Sequence, residues 1–183
     1  AARHQMGDAR HARPARFDYR TKASDSPKLR LFSINNDGYF HVIDTEDGSE
    51  VFSFVPQELL SRVPSLFNDE ATSLGKTYGL DGPLTLWHDD KDGDRVLDAG
   101  SPDFETLIAF FGQRRGGRRY YAVDVTDLSA PKLLWKIEGG VPGSVYEELG
   151  QTWSSMIPTK IRLRGKEIDI VAFSAGYDPA EDS

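Results

Sequence analysis

The chain has 183 residues, enough for about one domain, and its 38% hydrophobic and 28% charged content is typical of a globular protein. A net charge of −7 argues against nucleic-acid binding, and no apolar run approaches the roughly 20 residues of a transmembrane helix. Without cysteine, the sequence excludes disulfides, thiolate zinc sites and cysteine nucleophiles in this piece.

A repeated order of β-rich runs begins near residue 14. Proline opens a short apolar or alternating run at Pro14, Pro83 and Pro158, and proline is tolerated at the first residue of a strand. A second β-rich run follows each opener, and a glycine-bearing turn follows that run. The first two repeats then add a third and a fourth run, so the unit is four antiparallel strands.

Four-stranded units repeated along a chain are typical of β-propeller blades. The sequence therefore predicts an all-β fold, a partial β-propeller of about two and a half blades within a single domain spanning 1–183. The predicted blades are 14–55, 83–137 and a half blade at 158–177. Propellers close with roughly 4 to 8 blades, so we expect this chain to be a fragment of a larger propeller. A β-sandwich with chance periodicity is the alternative.

One segment breaks the β pattern, a predicted helical insertion at 56–80. Its apolar residues follow helical spacing, namely Leu59, Leu60, Val63, Leu66 and Phe67. We expect a short helix near 57–63 and a second turn near 65–69. Pro64 is expected to end or kink the first helix.

An acidic loop at 90–98 lies in the second predicted blade, between its first two strands. Asp90, Asp92, Asp94 and Asp98 occupy positions 1, 3, 5 and 9 of this loop, and Gly93 permits a sharp bend. Calcium takes about 6 to 8 oxygen ligands, and four carboxylates this close would repel one another without a cation. We therefore predict a calcium site, with the carbonyl of Val96 as a further ligand. Lys91 and Arg95 are expected to point into solvent.

The loop is not an EF-hand, because that motif requires glycine at position 6 and glutamate at position 12. Arg95 and Ser101 occupy those positions here. A solvated acidic turn without an ion is the alternative, since aspartate and glycine are favoured in turns. No activated serine or metal-binding histidine spacing is visible, so the sequence predicts no enzyme. The basic run at 114–119 is predicted to be a hairpin turn with solvated charges.

Several segments resemble the C-terminal propeller of the type IV pilus biogenesis and tip adhesin family, the PilC/PilY type. The first is Asn-Asn-Asp-Gly-Tyr-Phe-His-Val-Ile-Asp at 35–44, and the most specific is Gly-Gly-Arg-Arg-Tyr-Tyr-Ala-Val-Asp-Val-Thr at 116–126. Asp-Gly-Pro at 81–83, Gly-Gln-Thr-Trp-Ser at 150–154 and Phe-Ser-Ala-Gly-Tyr at 173–177 also match. The resemblance covers most of the chain from Gly7 onward.

The resemblance implies a nine-residue Asp-x-Asp-x-Asp-x-x-x-Asp calcium loop, which Asp90, Asp92, Asp94 and Asp98 match position for position. It also implies pilus-associated partners such as minor pilins, with a host or surface ligand as a further candidate. The implied location is the periplasm, outer membrane or cell surface. The implied role is calcium-dependent control of pilus extension and retraction, surface attachment and twitching motility.

Two other functions stay open. A quinoprotein-type dehydrogenase propeller also binds calcium, and quinone-dependent dye reduction by the full-length protein would favour it. A generic protein-interaction propeller would need no ion, and the acidic loop would then be incidental.

Overall fold

The computed structural model describes residues 6–68, 71–72, 75–98 and 104–178. The first sheet is a four-stranded antiparallel meander whose strands lie side by side in chain order. Its strands are β1 (Ala15–Asp18), β2 (Leu29–Ile34), β3 (Phe40–Asp44) and β4 (Glu50–Phe54). All four strands lie within the first predicted unit, 14–55.

The insertion after the first sheet contains little helix. A single 3-10 turn spans Gln57–Leu59, and the helix α1 spans Val63–Phe67. The expected helix over 57–63 is therefore wrong, because Pro64 lies in the first turn of α1 instead of ending a preceding helix. Proline is accepted there because the first-turn N–H groups have no intrahelical partner. The second expected turn coincides with α1, except that residue 69 lies outside the described residues.

Two very short strands, β5 (Ala71–Thr72) and β6 (Gly75–Lys76), pair in the same insertion. The second four-stranded sheet follows, again antiparallel and again with strands adjacent in chain order. It consists of β7 (Leu84–Asp89), β8 (Thr106–Gly112), β9 (Arg119–Asp124) and β10 (Lys132–Glu138).

The last two strands, β11 (Ile157–Leu163) and β12 (Lys166–Ala172), form a separate hairpin. Arg164 and Gly165 form its turn, and both have positive φ angles, of 51° and 78°. Positive φ at both central residues is the geometry of two-residue hairpin turns that match the strand twist. The turn has two residues, because Lys166 pairs with Leu163 and so belongs to β12.

The second sheet contributes to two separate cores, one on each face. Phe111 and Tyr121 join the core shared with the first sheet, whereas Phe110 and Tyr120 join the core shared with the hairpin. This alternation follows from the period of two along a strand. The second sheet therefore lies between the first sheet and the β11–β12 hairpin.

Aromatic side chains fill the contact between the two four-stranded sheets. The rings of Phe40 and Phe111 stack with centroids 4.9 Å apart, and both side chains are almost fully buried. At the neighbouring edge, Phe17 on β1 meets His88 on β7 edge to face, with ring centroids 5.2 Å apart. This second contact places β1 beside the strand that leads into the acidic loop.

The prediction of an all-β fold built from four-stranded antiparallel units is confirmed. The assignment of these sheets as blades of a larger propeller, and the blade boundaries given from the sequence, stay predictions. Within the described residues, no helix is long and apolar enough to cross a membrane.

Candidate metal centre

The acidic loop leaves β7 immediately after Asp89, which pairs with Thr106 at the end of the β7–β8 ladder. Asp90, the first loop residue, bonds to two backbone amides further along the loop. Its Oδ1 accepts a hydrogen bond from the N–H of Gly93 at 2.7 Å, and its Oδ2 accepts one from the N–H of Arg95 at 3.1 Å. Local bonds of this type are the reason that aspartate favours turns.

Each of the next two aspartates accepts a hydrogen bond from the backbone amide two residues further along the chain. Asp92 Oδ1 accepts from the N–H of Asp94 at 3.0 Å, and Asp94 Oδ1 accepts from the N–H of Val96 at 2.7 Å. Each carboxylate thus turns the backbone that follows it. The alternate spacing in the sequence becomes a compact coil with the three acidic groups close together.

Gly93 has the role expected from the sequence, with a φ angle of 82°. A Cβ atom added there would meet nothing within 4 Å, so the glycine meets a backbone need and not a packing need. Arg95 also has positive φ, at 63°. The loop is anchored after this bend by Val96 and Leu97, which are both buried.

Carboxylate oxygens of Asp90, Asp92 and Asp94 all lie within 4.8 Å of one another. Two oxygens bound to the same calcium ion can be up to about 5 Å apart, because calcium–oxygen distances are about 2.3–2.6 Å. The donor set is therefore hard, anionic and spaced within the reach of calcium. Asp90 is partly buried, whereas Asp92 and Asp94 are exposed and open to an entering ion.

The other two predicted ligands are Asp98 and Val96. The Asp98 carboxylate lies outside the three-carboxylate cluster, and the Asp98 backbone bonds to Glu105. Val96 has its amide engaged by Asp94. The ligand roles of Asp98 and of the Val96 carbonyl stay predictions. Lys91 and Arg95 are exposed, as expected.

The electrostatics of the cluster favour a cation. The hydrogen bond from the Asp94 N–H lowers the pKa of Asp92, but desolvation and the charges of Asp94, Glu105 and Asp90 outweigh it. The pKa of Asp92 is therefore raised above its ordinary value. Like charges disfavour ionisation of one another, and a bound divalent cation would remove that penalty.

Glu105 is the residue at this site that the sequence did not single out. Its carboxylate is buried and accepts hydrogen bonds from the backbone N–H groups of Lys91, at 2.6 Å, and Asp98, at 3.1 Å. His88 Nε2 lies 2.9 Å from the same carboxylate. Burial alone would raise the pKa of Glu105, but these three contacts together hold it below its usual value. Nothing in the spacing of the acidic loop pointed to this glutamate.

The arginine-rich turn at 114–119 is not the solvated charge cluster that was expected. Arg114 lies over the ring of Trp153, with its guanidinium carbon 4.3 Å from the ring centroid. Arg118 bonds to Asp178 at 2.7 Å, and Arg119 pairs with Glu138 and Glu58. These arginine side chains are therefore engaged in contacts with other residues of the protein.

Curated relatives match the chain over different lengths. A type IV pilus biogenesis factor PilY1 homolog of Xylella fastidiosa is 36% identical over 102 residues, or 55% of this chain and 7% of that protein. PilY1 of Pseudomonas aeruginosa PAO1 is 28% identical over 153 residues, or 84% of this chain and 12% of the relative. PilY1 of strain UCBPP-PA14 is 27% identical over 164 residues, or 90% of this chain and 13% of that protein. The chain therefore spans about an eighth or less of the length of these relatives. No family model matches the chain.

A solved structure is also similar to this chain in its fold. The crystal structure of the Pseudomonas aeruginosa PilY1 C-terminal domain matches with a TM-score of 0.53 and 24% sequence identity, covering 85% of this chain and 26% of that one. The resemblance inferred from the sequence is thus confirmed: the chain is a relative of the PilY1 pilus biogenesis factors and shares the fold of part of the PilY1 C-terminal domain.

Proposed function

We propose that this chain is a calcium-binding part of a β-propeller in a type IV pilus biogenesis protein, with a binding role and no catalytic one. The observation that carries the proposal is the convergence of Asp90, Asp92 and Asp94 in a chain related to PilY1. The second sheet supports the propeller assignment, since it is covered on both faces by neighbouring β-elements, as a blade is.

The proposed mechanism is structural. Asp90, Asp92 and Asp94 would hold a calcium ion, with the carbonyl of Val96 and the carboxylate of Asp98 as further ligands. The ion would supply the positive charge that neutralises the three carboxylates and orders the loop at the end of β7. The ordered loop then fixes the surface offered to pilus components such as minor pilins, or to a host or abiotic surface. In the whole protein, at the cell surface or in the periplasm or outer membrane, this ordering sets the balance between pilus extension and retraction. Surface attachment and twitching motility depend on that balance.

Calorimetric titration with calcium tests the ion site directly. The wild type is expected to bind calcium in preference to magnesium, because magnesium keeps its waters and seldom uses an all-protein cage. Asp92→Ala combined with Asp94→Ala removes two of the three clustered carboxylates and is expected to abolish binding.

The matched control is Asp47→Ala combined with Asp127→Ala. Each of these aspartates caps the amide two residues ahead, at 2.9 Å, as Asp92 caps Asp94, but neither belongs to the acidic cluster. This control should bind calcium like the wild type. Absence of binding to the wild type, or equal binding by the loop variant, would refute the calcium assignment.

A genetic test addresses the pilus role. The same loop variant, introduced into the full-length protein of the bacterium that encodes it, should reduce surface piliation and twitching motility while the protein level stays normal. Normal piliation and motility in that strain would contradict calcium control through this loop.

A further inference from the structure

Glu105 links the two ends of the acidic loop through hydrogen bonds. Its Oε1 accepts the N–H of Lys91, the second residue of the loop, and its Oε2 accepts the N–H of Asp98, the ninth. The backbone N–H of Glu105 also donates to the carbonyl of Asp98 at 2.9 Å. One side chain and its own backbone therefore join the two ends of the loop.

The Glu105 carboxylate differs from the three clustered carboxylates in its burial and in its hydrogen bonds. Asp92 and Asp94 are exposed, whereas Glu105 is only 1% exposed. Both of its oxygens are occupied by donors from the protein, and it lies outside the group of converging oxygens. It is therefore placed to hold the backbone and not to meet the ion.

A further contact braces Glu105 against the first sheet. His88 Nε2 lies 2.9 Å from Glu105 Oε2, and the imidazole also packs edge to face with the ring of Phe17 on β1. The position of the Glu105 carboxylate is thus fixed from β7 as well as from its own strand end. A buried carboxylate held by three hydrogen-bonding contacts is a rigid support.

We infer that Glu105 is a positioning residue that holds the two ends of the loop together before the ion arrives, so that only the stretch between them is left for the ion to order. Ordering a loop costs conformational entropy, and a loop whose ends are already held incurs less of that cost on binding. Replacing a residue that orients a metal ligand without itself contacting the metal typically changes the metal affinity by roughly 10- to 100-fold. The affinity part of this inference rests on the proposed calcium function, and the loop-closure part does not.

The test uses Glu105→Gln, which keeps the size of the side chain but puts an N–H₂ group where one acceptor oxygen stood. With chelator present, hydrogen exchange at the amides of Lys91 and Asp98 is followed by NMR. We expect exchange at one or both amides to rise roughly 10- to 100-fold, because a charge-assisted hydrogen bond is lost. Calorimetry should then show a calcium Kd raised by roughly tenfold or more.

Glu50→Gln is the matched control, because Glu50 pairs with His41 in the first sheet as Glu105 pairs with His88. It should change neither measurement. If Glu105→Gln does not fold, Glu105→Asp carries the test, since it keeps the charge but falls short of the two amides by one methylene group. It should shift both measurements in the same direction.

The outcomes separate the two claims. Unchanged amide exchange in the folded Glu105 variant would overturn the positioning role, whether or not calcium binds. Faster exchange with an unchanged Kd would overturn the claim that closure prepares the loop for the ion. A wild type that does not bind calcium would end the proposed function, while the exchange data would still decide whether Glu105 closes the loop.

Discussion

At the scale of single residues, Tyr121 ties the insertion to the second sheet. Its hydroxyl donates to Glu58 Oε1 at 2.8 Å and accepts from Gln113 Nε2 at 2.8 Å. Burial, together with the hydrogen bond to Glu58, raises the pKa of Tyr121, so the hydroxyl stays protonated and remains a donor. Gln113 is fully buried, and its amide nitrogen depends on this contact.

Tyr121→Phe should therefore destabilise the protein by about 1–3 kcal/mol, the usual cost of leaving a buried polar group without its partner. Urea unfolding followed by circular dichroism would measure the change. Tyr146→Phe, at an exposed tyrosine, should change the free energy of unfolding by less than about 0.5 kcal/mol. Equal stability of the Tyr121 variant and the wild type would show that the bond network carries no net energy.

Residue-scale features were predictable only where the cause is local. The alternate aspartates and Gly93 form a turn from their own side chains and backbone, so their spacing alone predicted the coil. Glu105 bonds to Lys91 across 14 positions in the sequence, and that contact exists only once β7 and β8 have paired. A local sequence pattern does not predict a contact between two residues so far apart in the chain.

At the scale of elements, β8 illustrates how a single strand serves two cores. Phe111 packs toward the first sheet and stacks on Phe40, whereas Phe110 packs toward the hairpin and lies 5.8 Å from the ring of Trp135. A strand buried on both faces cannot show a clear alternation of polar and apolar residues. The run Leu-Ile-Ala-Phe-Phe is accordingly continuous in the sequence.

Replacing Phe111 by alanine should cost about 3–5 kcal/mol, because a large aromatic side chain leaves a cavity between the two sheets. A double-mutant cycle with Phe40→Ala should give a coupling energy of about 0.5–1.5 kcal/mol, the usual value for an aromatic pair. Denaturant unfolding of the four proteins provides the data. Phe104→Ala, at an exposed ring, is the control. Strict additivity of the two core substitutions would contradict direct stacking.

Strands were more predictable than the helix. Proline openers, β-rich runs and glycine-bearing turns predicted two units of four strands and a partial third unit, and the structure contains two four-stranded sheets followed by a two-stranded hairpin. The helix was misplaced because the apolar spacing is continuous across Pro64, and sequence alone does not say whether a proline begins a helix or ends one. Here the preceding residues form a 3-10 turn, so Pro64 lies near the start of α1.

At the scale of the whole molecule, the described residues cover the second sheet on both faces but cover the hairpin on one face only. The outward face of the hairpin carries exposed apolar side chains, namely Ile157, Ile161, Leu163 and Ile168. Ile161 and Ile168 are directly paired across the two strands. Repeated units of this kind depend on neighbours to cover such faces.

The chain is therefore expected to self-associate with rising concentration, because adjacent exposed apolar side chains favour association. Ile161→Asp combined with Ile168→Asp should shift it toward the monomer, as measured by sedimentation velocity over a range of concentrations. Ser24→Asp combined with Ser26→Asp adds the same charge in an exposed loop and should leave the association unchanged. A wild type that is monomeric at every concentration would contradict this prediction.

The repeated four-stranded unit was predictable, whereas the arrangement of neighbouring units was not. Each unit is specified by its own turns and runs, which lie within about fifty residues of one another. The arrangement depends on the angle between neighbouring sheets, and that angle is set by packed pairs such as Phe40 and Phe111, 71 positions apart. A sequence pattern contains no direct measure of such an angle.

The chain-order topology also has a kinetic consequence. Strands in every described sheet pair with their sequence neighbours, so each sheet can form locally, and hairpins of this kind form in roughly 1–10 μs. The β7–β8 hairpin differs, because its loop holds Asp90, Asp92 and Asp94 close together against their mutual repulsion. A cation present during folding would reduce this repulsion, so this hairpin is the step at which the folding rate should depend on the ionic medium.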